Sequence, residues 1–242
     1  MICQDEVQGH WQRIWIKAPG LHDDTTRVHW LQAGNHFADI RIPAERPSLG
    51  DAQCLAELPN TALADLLVAE GFAGTIQVDQ GVCTWHRAIN WHGCPDDVDA
   101  GRLSFDGSGD LIEDGVHADY RELWRHQPGA PFTAVLARCG ELDVVLLTND
   151  QTFLLATGIP AMASTAGLAA EMRSGSASPD RVRAQFACAY SLGHWQGGVG
   201  VADLSTDPFQ ERRPVLERDG NGLIWHRLGF DGSVSTQPLT VS

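Results

Sequence analysis

No stretch of this chain approaches the roughly 18 consecutive apolar residues that a membrane-spanning helix requires. Residues 1–8 carry acids where an export signal would carry basic residues, and no apolar run follows them, so the sequence predicts neither export nor membrane insertion. CxxC pairs are missing as well. The six cysteines (Cys3, Cys54, Cys83, Cys94, Cys139 and Cys188) are scattered, which predicts reduced, mostly buried thiols and a cytoplasmic location. Arginine and lysine nowhere cluster, for even Arg212 and Arg213 stand among Glu211 and Glu217. With a formal charge of −14, the surface is expected to repel nucleic acid and anionic membranes. There is no G-x-S-x-G elbow and no Walker sequence. Gly197 to Gly200 has no helix predicted after it, so no dinucleotide loop is read there. No cofactor is implied.

What is present is a globular composition. The 242 residues are 43% hydrophobic and 20% charged, enough to bury a core. Strand patterns dominate: Gly9 to Ile16, Thr26 to Gln32, His36 to Ile42, Phe72 to Val78 and Val82 to Trp91 alternate or are rich in β-branched and aromatic residues. A hairpin-rich stretch follows, with turns at Asp106-Gly107 and Asp114-Gly115 and a long strand from Val116 to His126. Phe132 to Cys139, Leu142 to Thr148 and Thr152 to Thr157 form another meander, its last two strands apolar on both faces and hence deeply buried. Later strands are predicted over Val182 to Tyr190, Gly193 to Ala202, Leu223 to Leu228 and Ser233 to Thr240. Helical spacing appears only in Thr61 to Glu70, closed by Gly71 as a left-handed cap, and in Ala161 to Arg173.

About fifteen short strands and two helices predict an all-β, antiparallel protein. So large a sheet must close or split, and closed barrels remove exposed edges. The stretch Pro128 to Pro131 divides the chain into two barrel-like halves, 1–128 and 129–242. One barrel with elaborations is the alternative.

One local pattern recurs. Trp11/Arg13, Trp85/Arg87 and Trp225/Arg227 each place an indole and a guanidinium on one face of a strand. The first pair continues to Trp15, the second to Ile89 and Trp91. Tyr120, Glu122 and Trp124 share a face by the same spacing, as do Asp39 and Arg41. Indole–guanidinium contact contributes about 0.5–2 kcal/mol. Such pairs can seal barrel ends and fix register, or they can line a cup in which guanidiniums meet an anionic head and aromatics hold an apolar body.

Gly9-His10-Trp11 resembles the Gly-x-Trp of lipocalin-like barrels, where the Trp plugs the closed end, and Gly193-His194-Trp195 repeats those letters. Together with Asp24 to Pro47, Val82 to Trp91, Tyr120 to His126 and Leu204 to Glu211, the chain resembles an uncharacterised bacterial family of lipocalin-like proteins. It is distantly similar to a yeast two-barrel protein named for its interaction with a casein kinase, Arg121 to Trp124 being the clearest shared string. The resemblance implies a fold and carries no biochemical role.

Two metal arrangements fail on spacing. Cys83 and His86 differ by an odd number and so point to opposite faces of one strand, and His92 and Cys94, which can share a face after Trp91, are only two ligands. Asp106 to Asp110 lacks the closing bidentate acid of a calcium loop. Three functions stay open: a cup that binds a small amphiphilic or anionic ligand through Trp11, Arg13, Trp85, Arg87, Tyr120, Glu122, Trp124, Trp225 and Arg227; a scaffold with an apolar surface near Ala161 to Met172 or a homodimer interface; and a lyase or isomerase using Tyr120, Glu122, Arg13 and Arg87.

Overall fold

Alternation in the first half of the chain produces a meander that closes on itself. A computed structural model describes residues 2–93, 97–220 and 222–239. Its first sheet contains β1 (Gly9–Ala18), β2 (Leu21–Asp23), β3 (Arg27–Ala33), β4 (His36–Ile42), β5 (Glu70–Asp79), β6 (Val82–Asn90), β7 (Asp99–Phe105), β8 (Leu111–Gly115) and β9 (Arg121–Gln127). From β3 onward each strand pairs antiparallel with the next, and β1 pairs with β9 from His10↔Gln127 to Lys17↔Arg121, which seals the ring. β3 pairs with residues 9–12 of β1 and β2 with residues 16–18. The two thus act as one interrupted strand.

The second sheet contains β10 (Thr133–Cys139), β11 (Leu142–Thr148), β12 (Thr152–Gly158), β13 (Ala189–Gln196), β14 (Val199–Ser205), β15 (Pro214–Asp219), β16 (Gly222–Leu228) and β17 (Val234–Leu239), each antiparallel to the next. β10 and β17 approach each other without a ladder, so this barrel is nearly closed. The protein is therefore mainly antiparallel β, and its described residues form three short α-helices: α1 (Asn60–Leu66), α2 (Leu168–Ser174) and α3 (Pro179–Ala187). No helix among the described residues is long and apolar enough to cross a membrane.

Three buried clusters organise the packing. One fills part of the first barrel and one fills the second. The largest lies between the barrels and beneath the helices, drawing on β4, β5, β11, β12 and β13. This explains why β11 and β12 are apolar on both faces: Val144, Leu146, Phe153 and Leu155 point into the second barrel, while Val145, Leu147, Leu154 and Ala156 point at the first.

Several local expectations are corrected. Gly71 does not cap a helix; α1 stops at Leu66 and β5 has begun at Glu70. Its missing side chain serves the barrel–barrel seam instead, because a Cβ there would lie 2.4 Å from the Tyr190 ring. The helix expected over Ala161 to Arg173 starts only at Leu168, after Gly167 in a left-handed conformation. Leu168 and Met172 are buried against the inter-barrel cluster, while Ala161, Ala163, Ala166 and Ala170 of the same stretch are exposed. Residues 182–187 are helical rather than extended: Pro179 at the first turn pre-sets the backbone, and Val182 and Phe186 bury one face. The strand predicted from Gly193 to Ala202 is a hairpin, with Gly197 and Gly198 at φ +58° and +87° forming its turn. Likewise β8 extends through Asp114-Gly115, and the chain bends at residues 116–119 before β9. β15 escapes alternation because only Val215 and Leu216 of its six residues are buried.

Candidate functional site

Two β-bulges decide which side chains enter the first barrel. In β6, Arg87 pairs with Gly74 but Ile89 pairs with Ala73, leaving Ala88 as the extra residue. Trp85 and Arg87 therefore face inward, whereas Ile89 and Trp91 swing out into the inter-barrel core. In β1, Arg13 pairs with Trp124 and Trp15 with Leu123, so Ile14 is extra. Trp11, Arg13 and Ile16 remain inward while Trp15 leaves the face, with the Lys17 ammonium 4.5 Å from its ring centroid. The expected continuations to Trp15, Ile89 and Trp91 are thus broken, each by one inserted residue.

Within the barrel lies a cavity of about 170 Å³. Trp30, Phe72, Trp85, Trp124, Asp39, Glu113 and Glu122 form its buried walls, and half-buried Ile16, Arg41, Arg87, Asp99 and Tyr120 form its rim. The Trp30 ring meets Trp85 and Trp124 edge to face, with centroids at 5.8 Å and 5.9 Å. Phe72 carries the Arg87 guanidinium 3.6 Å from its ring centroid and that of Arg41 at 5.0 Å. The other end of the barrel is plugged. Trp11 is 3% exposed, stacks on Trp30 and donates to the Val7 carbonyl in the 3-10 turn Gln4–Val7.

The polar lining is a set of ion pairs between strands. Arg13 donates to Glu122 at 2.8 Å and to Asp23 at 3.0 Å. Arg41 Nε donates to Asp39 at 2.9 Å, with Glu122 at 3.9 Å from its Nη1. Arg87 makes a two-point contact with Asp99. Glu113 differs: Tyr120 Oη donates to it at 2.7 Å and Trp124 Nε1 at 3.1 Å, both neutral donors. Burial raises Asp39 to about 6 despite the opposing pull of Arg41. Burial, and then the charge of Glu122, hold the Glu113 carboxyl well above the ordinary range, and burial with Glu113 beside it raises the Tyr120 phenol. Glu113 and Glu122 are direct cross-strand partners on the inner face of β8 and β9.

Trp85, Arg87, Tyr120, Glu122 and Trp124 line this cavity. Arg13 stands behind Glu122, and Trp11 belongs to the closed end. Trp225 and Arg227 do not join them. Trp225 packs inside the second barrel, and Arg227 borders a different groove with Phe186 and Phe230. Among the described residues at the cavity no guanidinium waits alone for an anionic head, since Arg13, Arg41 and Arg87 each already meet a carboxylate. Site residues missed by sequence reasoning are Ile16, Trp30, Phe72, Asp99 and Glu113, and Asp39 and Arg41, read only as sharing a strand face, join them in the lining. Glu113 stands two residues from Leu111 and directly opposite Glu122, but only the β8–β9 register reveals that. Elsewhere, Cys83 is buried inside the barrel and His86 is exposed outside it, while Cys94 lies outside the described residues. Among the described residues no three His, Cys, Asp or Glu side chains converge as a metal site. Asp106 accepts from the N–H groups of Ser108 and Asp110, holding a hairpin turn.

No family model matches the sequence. No curated protein matches it. In fold the chain is similar to the crystal structure of an uncharacterised protein from Saccharomyces cerevisiae, with a TM-score of 0.55 and 11% identity over 96% of this chain and 98% of that one. At that identity the likeness is one of architecture, and a yeast protein is a distant structural neighbour of this chain.

Proposed function

We propose that the first barrel is a lipocalin-like binding module that takes a small molecule into the cavity beneath Arg41, Arg87 and Tyr120. The observation that carries this reading is a hollow with indole walls and polar groups converging on it. A cavity of about 150 Å³ admits a benzene ring, so the ligand has on the order of ten non-hydrogen atoms. Trp30, Trp85 and Trp124 would hold its apolar body, and the carboxyl groups and Tyr120 its polar head. The five described cysteines are unpaired, which accords with a cytoplasmic protein in this reading. Titration with a panel of small aromatic amines, alcohols and acids tests it. A true ligand changes tryptophan emission and raises the unfolding free energy by about 2.7 kcal/mol at one hundred times its Kd. Emission and stability unchanged across the panel would count against a binding cavity.

A second reading draws on the 2.7 Å contact of Tyr120 with Glu113 beside Glu122. A carboxyl that keeps its proton next to one that is ion-paired is the arrangement of a general acid, so lyase or isomerase chemistry on a bound ligand would use Glu113. Deuterium incorporation into a bound ligand, followed by NMR and lost in Glu113→Gln, checks this.

A further inference from the structure

A buried charge is costly unless an opposite charge accompanies it, and one carboxyl in the cavity has no ion-pair partner. Glu113 is 5% exposed, its recorded donors are a phenol and an indole, and no Arg, Lys or His among the described residues forms an ion pair with it. Of its charged neighbours, Glu122 and Asp99 add to the imbalance, and Arg41, which forms no ion pair with it, offsets part of it. Glu122 stands directly opposite on β9, and four carboxyl groups line the cavity against two guanidiniums. Those guanidiniums are matched by Asp39 and Asp99, and Arg13 behind them is shared by Glu122 and Asp23. Around this surplus of acid stand three indoles, and an indole face attracts a cation more strongly than other aromatic rings do.

We infer that the cavity takes a small organic cation, a primary amine or amidine on a compact apolar body, with its N–H groups on Glu113 and Glu122 and its body against Trp30, Trp85 and Trp124. This rests on the small-molecule reading above and names its ligand class. In the free protein Glu113 keeps a proton, as its burial beside Glu122 requires; the ligand's positive charge replaces that proton, which leaves to solvent. Binding therefore releases a proton and strengthens as pH rises. Other titratable or charged groups facing Glu113 are Tyr120 and Glu122 on the β9 side, Cys83 and Arg87 from β6, Asp99 from β7, and Asp39 and Arg41 from β4. Asp39, at about 6, loses its proton over the lower part of the same range and works in the same direction.

Calorimetry with benzylamine, benzyl alcohol and benzoate, which share one ring and differ in charge, tests the inference on the full chain. In two buffers of different ionisation enthalpy at about pH 7, benzylamine is expected to bind at least about tenfold more tightly than either competitor, releasing about one proton per ligand. Glu113→Gln, whose amide copies the shape of the protonated acid, is expected to lose that preference. Wild-type proton release supports the inference independently should this variant fail to fold. Benzoate or benzyl alcohol binding as well as benzylamine, or proton uptake on binding, would overturn the cationic class and leave the cavity reading standing. Binding by none of the three would overturn both.

Discussion

Replacing Asp39 with asparagine is expected to stabilise the protein at neutral pH and to leave it unchanged in acid. Asp39 is 3% exposed and accepts from Arg41 Nε at 2.9 Å, yet burial outweighs that partner and raises its pKa to about 6. In an unfolded chain an aspartate titrates near about 3.9. A carboxyl whose folded pKa is raised binds its proton more tightly in the native state. The stability it contributes is complete below about pH 4 and is lost as pH rises through about 6. A shift of about two units at about 1.4 kcal/mol each amounts to ~3 kcal/mol. Asparagine keeps the shape of the neutral acid at every pH and so escapes that loss. Urea unfolding of both proteins, at intervals from about pH 4 to about pH 8, reads the difference directly. The Asp39→Asn variant should gain ~3 kcal/mol on wild type across that span, most of it by about pH 7. A difference that stays flat, or that turns against the variant as pH rises, would mean that the Arg41 pair outweighs burial. The charge description of the cavity would then be wrong.

Arg13→Leu takes the nearer guanidinium from buried Glu122, leaving it Arg41 at 3.9 Å, and is expected to cost about 3 kcal/mol in urea unfolding, the lower end for breaking a buried pair. Gly71→Ala drives a methyl into the Tyr190 ring; a loss of about 1–3 kcal/mol is expected, with partial recovery in a double variant carrying Tyr190→Leu. In thiol titration of the native protein, exposed Cys3 should react first. Cys83 and Cys188, buried and with thiol pKa values raised by that burial, should react only on unfolding.

The barrel architecture was legible because it depends on patterns that sequence displays: short alternating strands in close succession, and the doubly apolar β11 and β12. The site was legible only where alternation survives. Glu122 and Trp124 are two residues apart on an unbroken strand, and both face inward as spacing predicts. Beyond Arg13 and Arg87 the same rule fails, because Ile14 and Ala88 each add a residue to one strand and not to its partner. Nothing in the identity of an isoleucine or an alanine signals that. Trp225 and Arg227 satisfy the local pattern fully and still lie in the other half of the chain, Trp225 inside the second barrel. A motif of two residues specifies a face of a strand, and only the topology specifies which interior that face belongs to. Glu113 shows the converse, since its role follows from the residue across the ladder and not from its own neighbours in sequence.

The contrast between the two interiors ties the fold to the site. Leu146, Phe153, Leu155, Val215 and Trp225 meet inside the second barrel as an apolar cluster, and such side chains interdigitate to close packing. The first barrel holds indoles at its plugged end but guanidinium–carboxylate pairs towards its rim. Planar charged groups held by hydrogen bonds in fixed orientations cannot slide together as aliphatic chains do, and their remaining donors and acceptors require a polar partner. Buried ion pairs are also no more stabilising than well-packed apolar residues of the same volume. A barrel selected for stability alone would have filled this end as it filled the other. The polar hollow beside Glu113 is where the two interiors differ most, and the proposed binding site draws on that difference.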